Sequence, residues 1–171
     1  QDQNSDQISS GDNSKIGSSQ ESKNRFSILL AEDKADNSMG IEAYLGNTSN
    51  QLEIVENGVQ AVEKIKSGKF GFILLNFANM DMVGHTGILD AAIKGCETVD
   101  KCTQMVVKTI WEKGGVALVT ADHGNCEQMI ADDNSPYTAH TTNPVRLVLA
   151  SDNFKNSSMN DGILGDIAPT L

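Results

Sequence analysis

Five short runs rich in apolar residues restrict this chain more than any other feature of its sequence. They are Phe26 to Leu30, Leu52 to Val55, Phe70 to Leu75, Val116 to Val119 and Val145 to Ala150. Each has the length of a strand, and stretches of helical periodicity separate them. Asp36 or Asn37 is placed to cap a helix carrying Met39, Ile41, Tyr44 and Leu45, although Gly40 inside it costs about 1 kcal/mol against Ala. Asn57-Gly58 opens a second helix, with Val59, Val62 and Ile65 on one side and Ser67-Gly68 as its stop. A longer helix is expected over residues 87–112, with Leu89, Ala92, Ile93, Cys96, Val99, Val106 and Ile110 as its inward stripe and Gly114-Gly115 as its end. Asp166-Ile167-Ala168-Pro169 reads as a helix start that is cut short. Strands alternating with helices predict an α/β fold with a doubly wound, mostly parallel sheet, a single sheet over residues 25–171. In such a sheet the ligand site lies outside the carboxyl ends of the strands.

Residues 1–24 are of a different kind. They are Ser, Gln, Asn, Asp and Gly, with Ile8 and Ile16 as the sizeable apolar residues. Such a segment buries too little surface to offset the entropy of ordering, so a disordered linker is expected there. The formal net charge of −10 opposes phosphate backbones and argues against nucleic acid as a partner, while carboxylates in excess suit a protein that gathers them around a cation. Cys96, Cys102 and Cys126 form no C-x-x-C pair and are odd in number, as expected of reduced thiols in a cytoplasmic protein. No apolar run approaches the roughly 18 residues of a membrane span, and the polar N-terminus does not read as a signal peptide, so no membrane partner is expected.

The chemistry-bearing residues gather in the second half. His85 follows Asp81 by four positions, His123 directly follows Asp122, and His140 stands in Ala139-His140-Thr141-Thr142-Asn143-Pro144 just before a strand. Asp81 and Asp122 each fall just past a buried strand, so both should reach one edge of the sheet. Imidazole nitrogen with carboxylate oxygen suits Mn²⁺ or Zn²⁺ better than Mg²⁺ or Ca²⁺. Spacing alone leaves two readings for each histidine, a metal ligand or a hydrogen-bonded loop residue. The cysteines read as helix packing (Cys96, Cys102) and a loop thiol (Cys126), and Trp111 as packing.

Four motifs carry a resemblance. They are Phe72-Ile73-Leu74-Leu75-Asn76-Phe77-Ala78-Asn79 leading to Asp81-Met82-Val83-Gly84-His85-Thr86-Gly87, then Gly114-Gly115-Val116-Ala117-Leu118-Val119-Thr120-Ala121-Asp122-His123-Gly124-Asn125, then His140-Thr141-Thr142-Asn143-Pro144-Val145, and Asp166-Ile167-Ala168-Pro169-Thr170-Leu171. In this order they resemble the metal-binding end of cofactor-independent phosphoglycerate mutase, from about Phe70 onward, with Met80 where that family usually has Pro. The resemblance implies an alkaline-phosphatase-like part that binds two manganese ions (Mn²⁺; Zn²⁺ or Mg²⁺ as substitutes) and acts on phosphorylated small molecules by interconverting 3- and 2-phosphoglycerate through a phosphoserine. It implies one metal on Asp81, His85 and His140. A second would lie on Asp122 and His123, with further ligands that include the nucleophilic serine. No residue here matches that serine, so the resemblance assigns no catalytic residue, and the family's substrate-binding domain has no counterpart. Mutase chemistry by this chain alone is therefore expected to be weak or absent.

A second resemblance covers residues 25–69. Phe26-Ser27-Ile28-Leu29-Leu30-Ala31-Glu32-Asp33, Ala35-Asp36-Asn37, Leu52-Glu53-Ile54-Val55-Glu56-Asn57-Gly58 and Ala61-Val62-Glu63 resemble the first half of a response-regulator receiver, a flavodoxin-like βαβα segment. The receiver's phosphoacceptor Asp would stand at the tip of the third strand, where this chain has Asn76. The two resemblances meet at Gly68-Lys69-Phe70, as in a composite chain or chimera whose alternative reading is a signalling module without a phosphoacceptor. Glu32 and Asp33, at the tip of the first strand, either face Asp122 and His123 as possible additional metal ligands or are merely solvated at a loop.

Overall fold

The computed structural model describes residues 25–171, and the linker expected over 1–24 lies outside them. Three strands, β1 (Ser27–Ala31), β2 (Gln51–Val55) and β3 (Phe72–Leu75), form a parallel sheet in the order β2-β1-β3. Ile28 lies opposite Leu52 on one side and Phe72 on the other. A central parallel strand is covered on both faces, so it reads as an unbroken apolar run. Accordingly Leu29 and Leu30 are 0% and 2% exposed. On one face Leu29 and Ala31 pack with Val55, Ile73 and Leu75 beneath helices α2 (Gly58–Lys66) and α4 (Leu89–Glu112), through Ala61, Ile65, Val106 and Ile110. The opposite face, with Ile28, Leu30, Phe72 and Leu74, carries α1 (Ala35–Leu45), which leaves Leu74 exposed.

Several boundaries follow from single residues. Asn57 caps α2, its side-chain oxygen accepting from the Gln60 N–H at 3.0 Å. Helix α1 begins at Ala35, before the caps expected at Asp36 or Asn37; Lys34 holds the capping position without a side-chain bond. The turn is instead tied by Glu32, whose carboxylate accepts from the Lys34 N–H at 3.1 Å. Helix α4 starts at Leu89 because Gly87, at φ +67°, is in the left-handed region that a right-handed helix excludes. It ends before Gly114, at φ +75°. Of its expected stripe, Ala92 and Val106 are buried, whereas Leu89, Ile93 and Cys96 are exposed. The N-terminal half of this 24-residue helix extends past the sheet and packs on the short α3 (Asn79–Gly84), an element the periodicity did not indicate.

Strands β4 (Ala117–Val119) and β5 (Val148–Ala150) do not join the first sheet. They pair antiparallel, Leu118 opposite Leu149. This corrects the single sheet expected over 25–171, and the reason is the connection. A parallel return requires a crossover, usually a helix, and residues 120–147 contain none. The indole N–H of Trp111 donates to the Ala150 carbonyl at 2.9 Å and ties the end of α4 to β5. A 3₁₀ turn (Leu164–Asp166) and α5 (Ile167–Thr170) follow. Among the described residues no helix is long and apolar enough to cross a membrane.

Candidate metal centre

The site is assembled from α3 and two loops. Asp81 lies in the first turn of α3 and His85 caps its last, so the four-residue spacing puts both side chains on one face. His123 follows β4, and the loop with His140 is tied to it by an isolated bridge, the Thr141 N–H donating to the Gly124 carbonyl at 2.9 Å.

Three ligand-type atoms converge. Asp81 Oδ1 is 3.1 Å from His85 Nε2 and 2.9 Å from His140 Nε2, and the two nitrogens are 3.1 Å apart. Two donors at right angles about one ion, each about 2.1 Å from it, would lie about 3.0 Å apart. The triangle therefore has the dimensions of one face of a coordination shell. The protons point the same way. His85 Nδ1 is 2.6 Å from the Thr138 carbonyl, which can only accept, so Nδ1 carries a hydrogen and Nε2 is the ring nitrogen that faces the triangle. Asp81, His85 and His140 thus offer three ligand-type atoms that could hold one metal ion.

Asp81 is held as a carboxylate. Burial alone would push its pKa up, but hydrogen bonds from Asn125 and His140 and the charges of His85 and His140 outweigh that and hold it below the usual value. Its Oδ1 accepts from Asn125 Nδ2 at 3.0 Å. The side chains of Asp81, His85 and His140 are each about half exposed, which leaves an approach for an exogenous ligand.

The other expected residues stand differently. His123 stacks on His140 with ring centroids 3.7 Å apart, and its Nε2 is 3.8 Å from Asp81 Oδ1 and 3.7 Å from Asp122 Oδ1. Asp122 is 84% exposed at the rim. Among the described residues, the group whose donor atoms close on a common point is Asp81, His85 and His140. Glu32 and Asp33 do not enter it. Burial would raise the Glu32 pKa, yet bonds from the Lys34 N–H and from the side chains of Asn37 and Asn76 help lower it overall, so this carboxylate is engaged at its own strand tip. The sequence reading passed over Asn125, Glu127, Thr138, Thr141 and Asn143. All five stand within four residues of His123 or His140 in the chain, and that proximity was the available signal.

The sequence pattern of the metalloenzyme superfamily matches residues 11–171. The chain belongs to the metalloenzyme superfamily. This metalloenzyme chain is 54% identical over 110 residues to the 2,3-bisphosphoglycerate-independent phosphoglycerate mutase of Flavobacterium johnsoniae, covering 64% of this chain and 21% of that protein. It is 55% identical over 113 residues to mutase 1 of that type from Methanosarcina acetivorans, covering 66% of this chain and 22% of the relative. The chain thus spans about a fifth of the length of these relatives. The crystal structure of Leishmania mexicana phosphoglycerate mutase at low cobalt concentration superposes with a TM-score of 0.60 at 26% identity, over 77% of this chain and 30% of that one. The matched pattern includes residues 25–69, so the segment that resembles a receiver lies within the metalloenzyme match.

Proposed function

We propose that this chain is the divalent-metal-binding part of a phosphoglycerate-mutase-like metalloenzyme, with Mn²⁺ as its ion. The observation that supports this is the triangle of Asp81 Oδ1, His85 Nε2 and His140 Nε2, with sides of 2.9 to 3.1 Å. A bound divalent cation supplies Lewis-acid charge to a phosphoryl oxygen. The protein's own part is to hold two imidazoles and one carboxylate on one side of that position and leave the other side open. Asp122 and His123 provide the start of a second position, whose remaining donors would come from beyond the residues matched to the family's motifs. Titration with Mn²⁺ followed by elemental analysis tests the reading. The expected result is one firmly held ion per chain, displaced by a chelator. No bound metal at saturating Mn²⁺ would overturn it.

Turnover requires more than this chain. The family reaction passes through a phosphoserine, no residue here matches that serine, and the −10 net charge would repel phosphoglycerate unless the ion offsets it locally. The purified metal-loaded chain is expected to show no sustained conversion of 3- to 2-phosphoglycerate in a coupled assay. Steady turnover in protein free of host enzyme would refute this.

A second reading, a receiver-like signalling module, is favoured by one observation. The order β2-β1-β3 is that of a flavodoxin-like sheet, and Asn76 at the tip of β3 donates to Glu32 at 3.4 Å, where a phosphoacceptor would meet an acidic pocket. An amide lacks the nucleophilic oxygen of a carboxylate. Incubation with acetyl phosphate and Mg²⁺ should therefore leave the mass unchanged. A stable phosphoryl adduct on Asp33 or Asp81 would establish phosphoacceptor chemistry instead.

A further inference from the structure

Glu127 touches none of the three converging atoms, yet it ties the loop that carries His140 to the Asn125 turn that reaches Asp81. One of its carboxylate oxygens accepts from the Asn125 N–H at 2.6 Å. The other accepts from the Thr141 hydroxyl and from Asn143 Nδ2 at 3.0 Å. Thr141 is the residue after His140. Asn125 is the donor to Asp81, and it is only 6% exposed. Its side-chain amide oxygen is buried with no hydrogen-bond partner among the described residues, close against Gly84, where an added Cβ would collide with it. An amide bonded at one end only is oriented by that end and by its backbone. For Asn125 the first anchor is the Asp81 carboxylate and the second is Glu127.

We propose that Glu127 is a positioning residue for the metal centre, a latch that fixes the His140 loop against the Asn125 turn and so sets the distance between His140 and Asp81. This rests on the metal reading above. The chemistry calls for a carboxylate, because three donors from two loops meet one side chain that only accepts. Glutamine in its place would turn an NH₂ group toward one of those donors. The Thr141 hydroxyl beside it holds the Glu127 pKa down, so the latch is ionised wherever the site could bind a cation.

The test uses the full chain and Mn²⁺ alone. Calorimetric titration should show Glu127→Gln and Thr141→Val weakened about 10- to 100-fold, the range for residues that support metal ligands from behind. Thr141→Ser keeps the hydroxyl and should bind as wild type does. In the metal-free protein, labelled histidine should show the His140 ring resonances broadened by Glu127→Gln. Wild-type affinity in Glu127→Gln, in a series where His140→Ala loses binding, would overturn the latch and leave the metal site standing. Equal and negligible binding by wild type and His140→Ala would remove the metal site itself. The metal-free His140 resonances would then decide, and an unchanged spectrum in Glu127→Gln would overturn the latch.

Discussion

Mn²⁺ should bind the His85→Ala variant at least about tenfold more weakly than the parent chain, the effect expected when a tridentate set loses a ligand. Three features make His85 the informative position. Its ring is pre-oriented by the Thr138 carbonyl, so the native site holds it in place before an ion arrives. It shares α3 with Asp81, so removing it leaves the helix and the carboxylate where they are. It is 44% exposed, so truncation opens no cavity and metal-free stability should move little. Calorimetry at constant pH reads the affinity and circular dichroism confirms the fold. Equal affinity in the two proteins would assign metal binding to another part of the molecule.

Leu29→Ala should have the largest effect on stability. Leu29 lies in the central strand, is 0% exposed, and meets β2, β3 and the helix layer at once. Large-to-small changes at such sites cost about 2 to 5 kcal/mol, because the surrounding atoms relax only partly into the space. With a urea slope of about 1 to 3 kcal/mol per molar for a domain of this size, the midpoint should fall by roughly 1 M or more. Met39→Ala on the 62%-exposed side of α1 is the control and should stay within about 0.5 kcal/mol. Similar midpoints for the two variants would mean that the parallel sheet does not form the stable core.

The elements that local chemistry determines were readable in advance. Asn57 as a cap, Gly114 as a stop, and Leu29 and Leu30 as a buried strand are each decided by a few neighbouring residues. That Asp81, His85 and His140 belong together was also suggested by the sequence, because they are chemistry-bearing residue types within motifs of one family, and the structure brings their side chains together. What was not readable depends on partners distant in sequence. β4 and β5 read as members of a parallel sheet, since an apolar run carries no direction. Their antiparallel pairing depends on how the long helix-free segment between them returns, which the two runs do not encode. Glu127 carries no local signal, and its partners Thr141 and Asn143 lie 14 and 16 positions away. Helix α3 spans six residues, too few for a periodicity to appear.

Helix α4 gives the molecule a mechanical property. Its 24 residues make a rod about 36 Å long. Near one end Val106 and Ile110 are clamped in the core, and Trp111 is pinned to β5. Toward the other end Gly95 comes close enough to α3 that an added Cβ would touch the Met80 sulfur at 3.4 Å, one residue before Asp81. A rod clamped at one end converts a small tilt there into a larger displacement at its tip. Enlarging Ala61 beneath α4, far from any histidine in the chain, is therefore expected to disturb the seating of α3 and, with it, the spacing of Asp81 and His85 from His140.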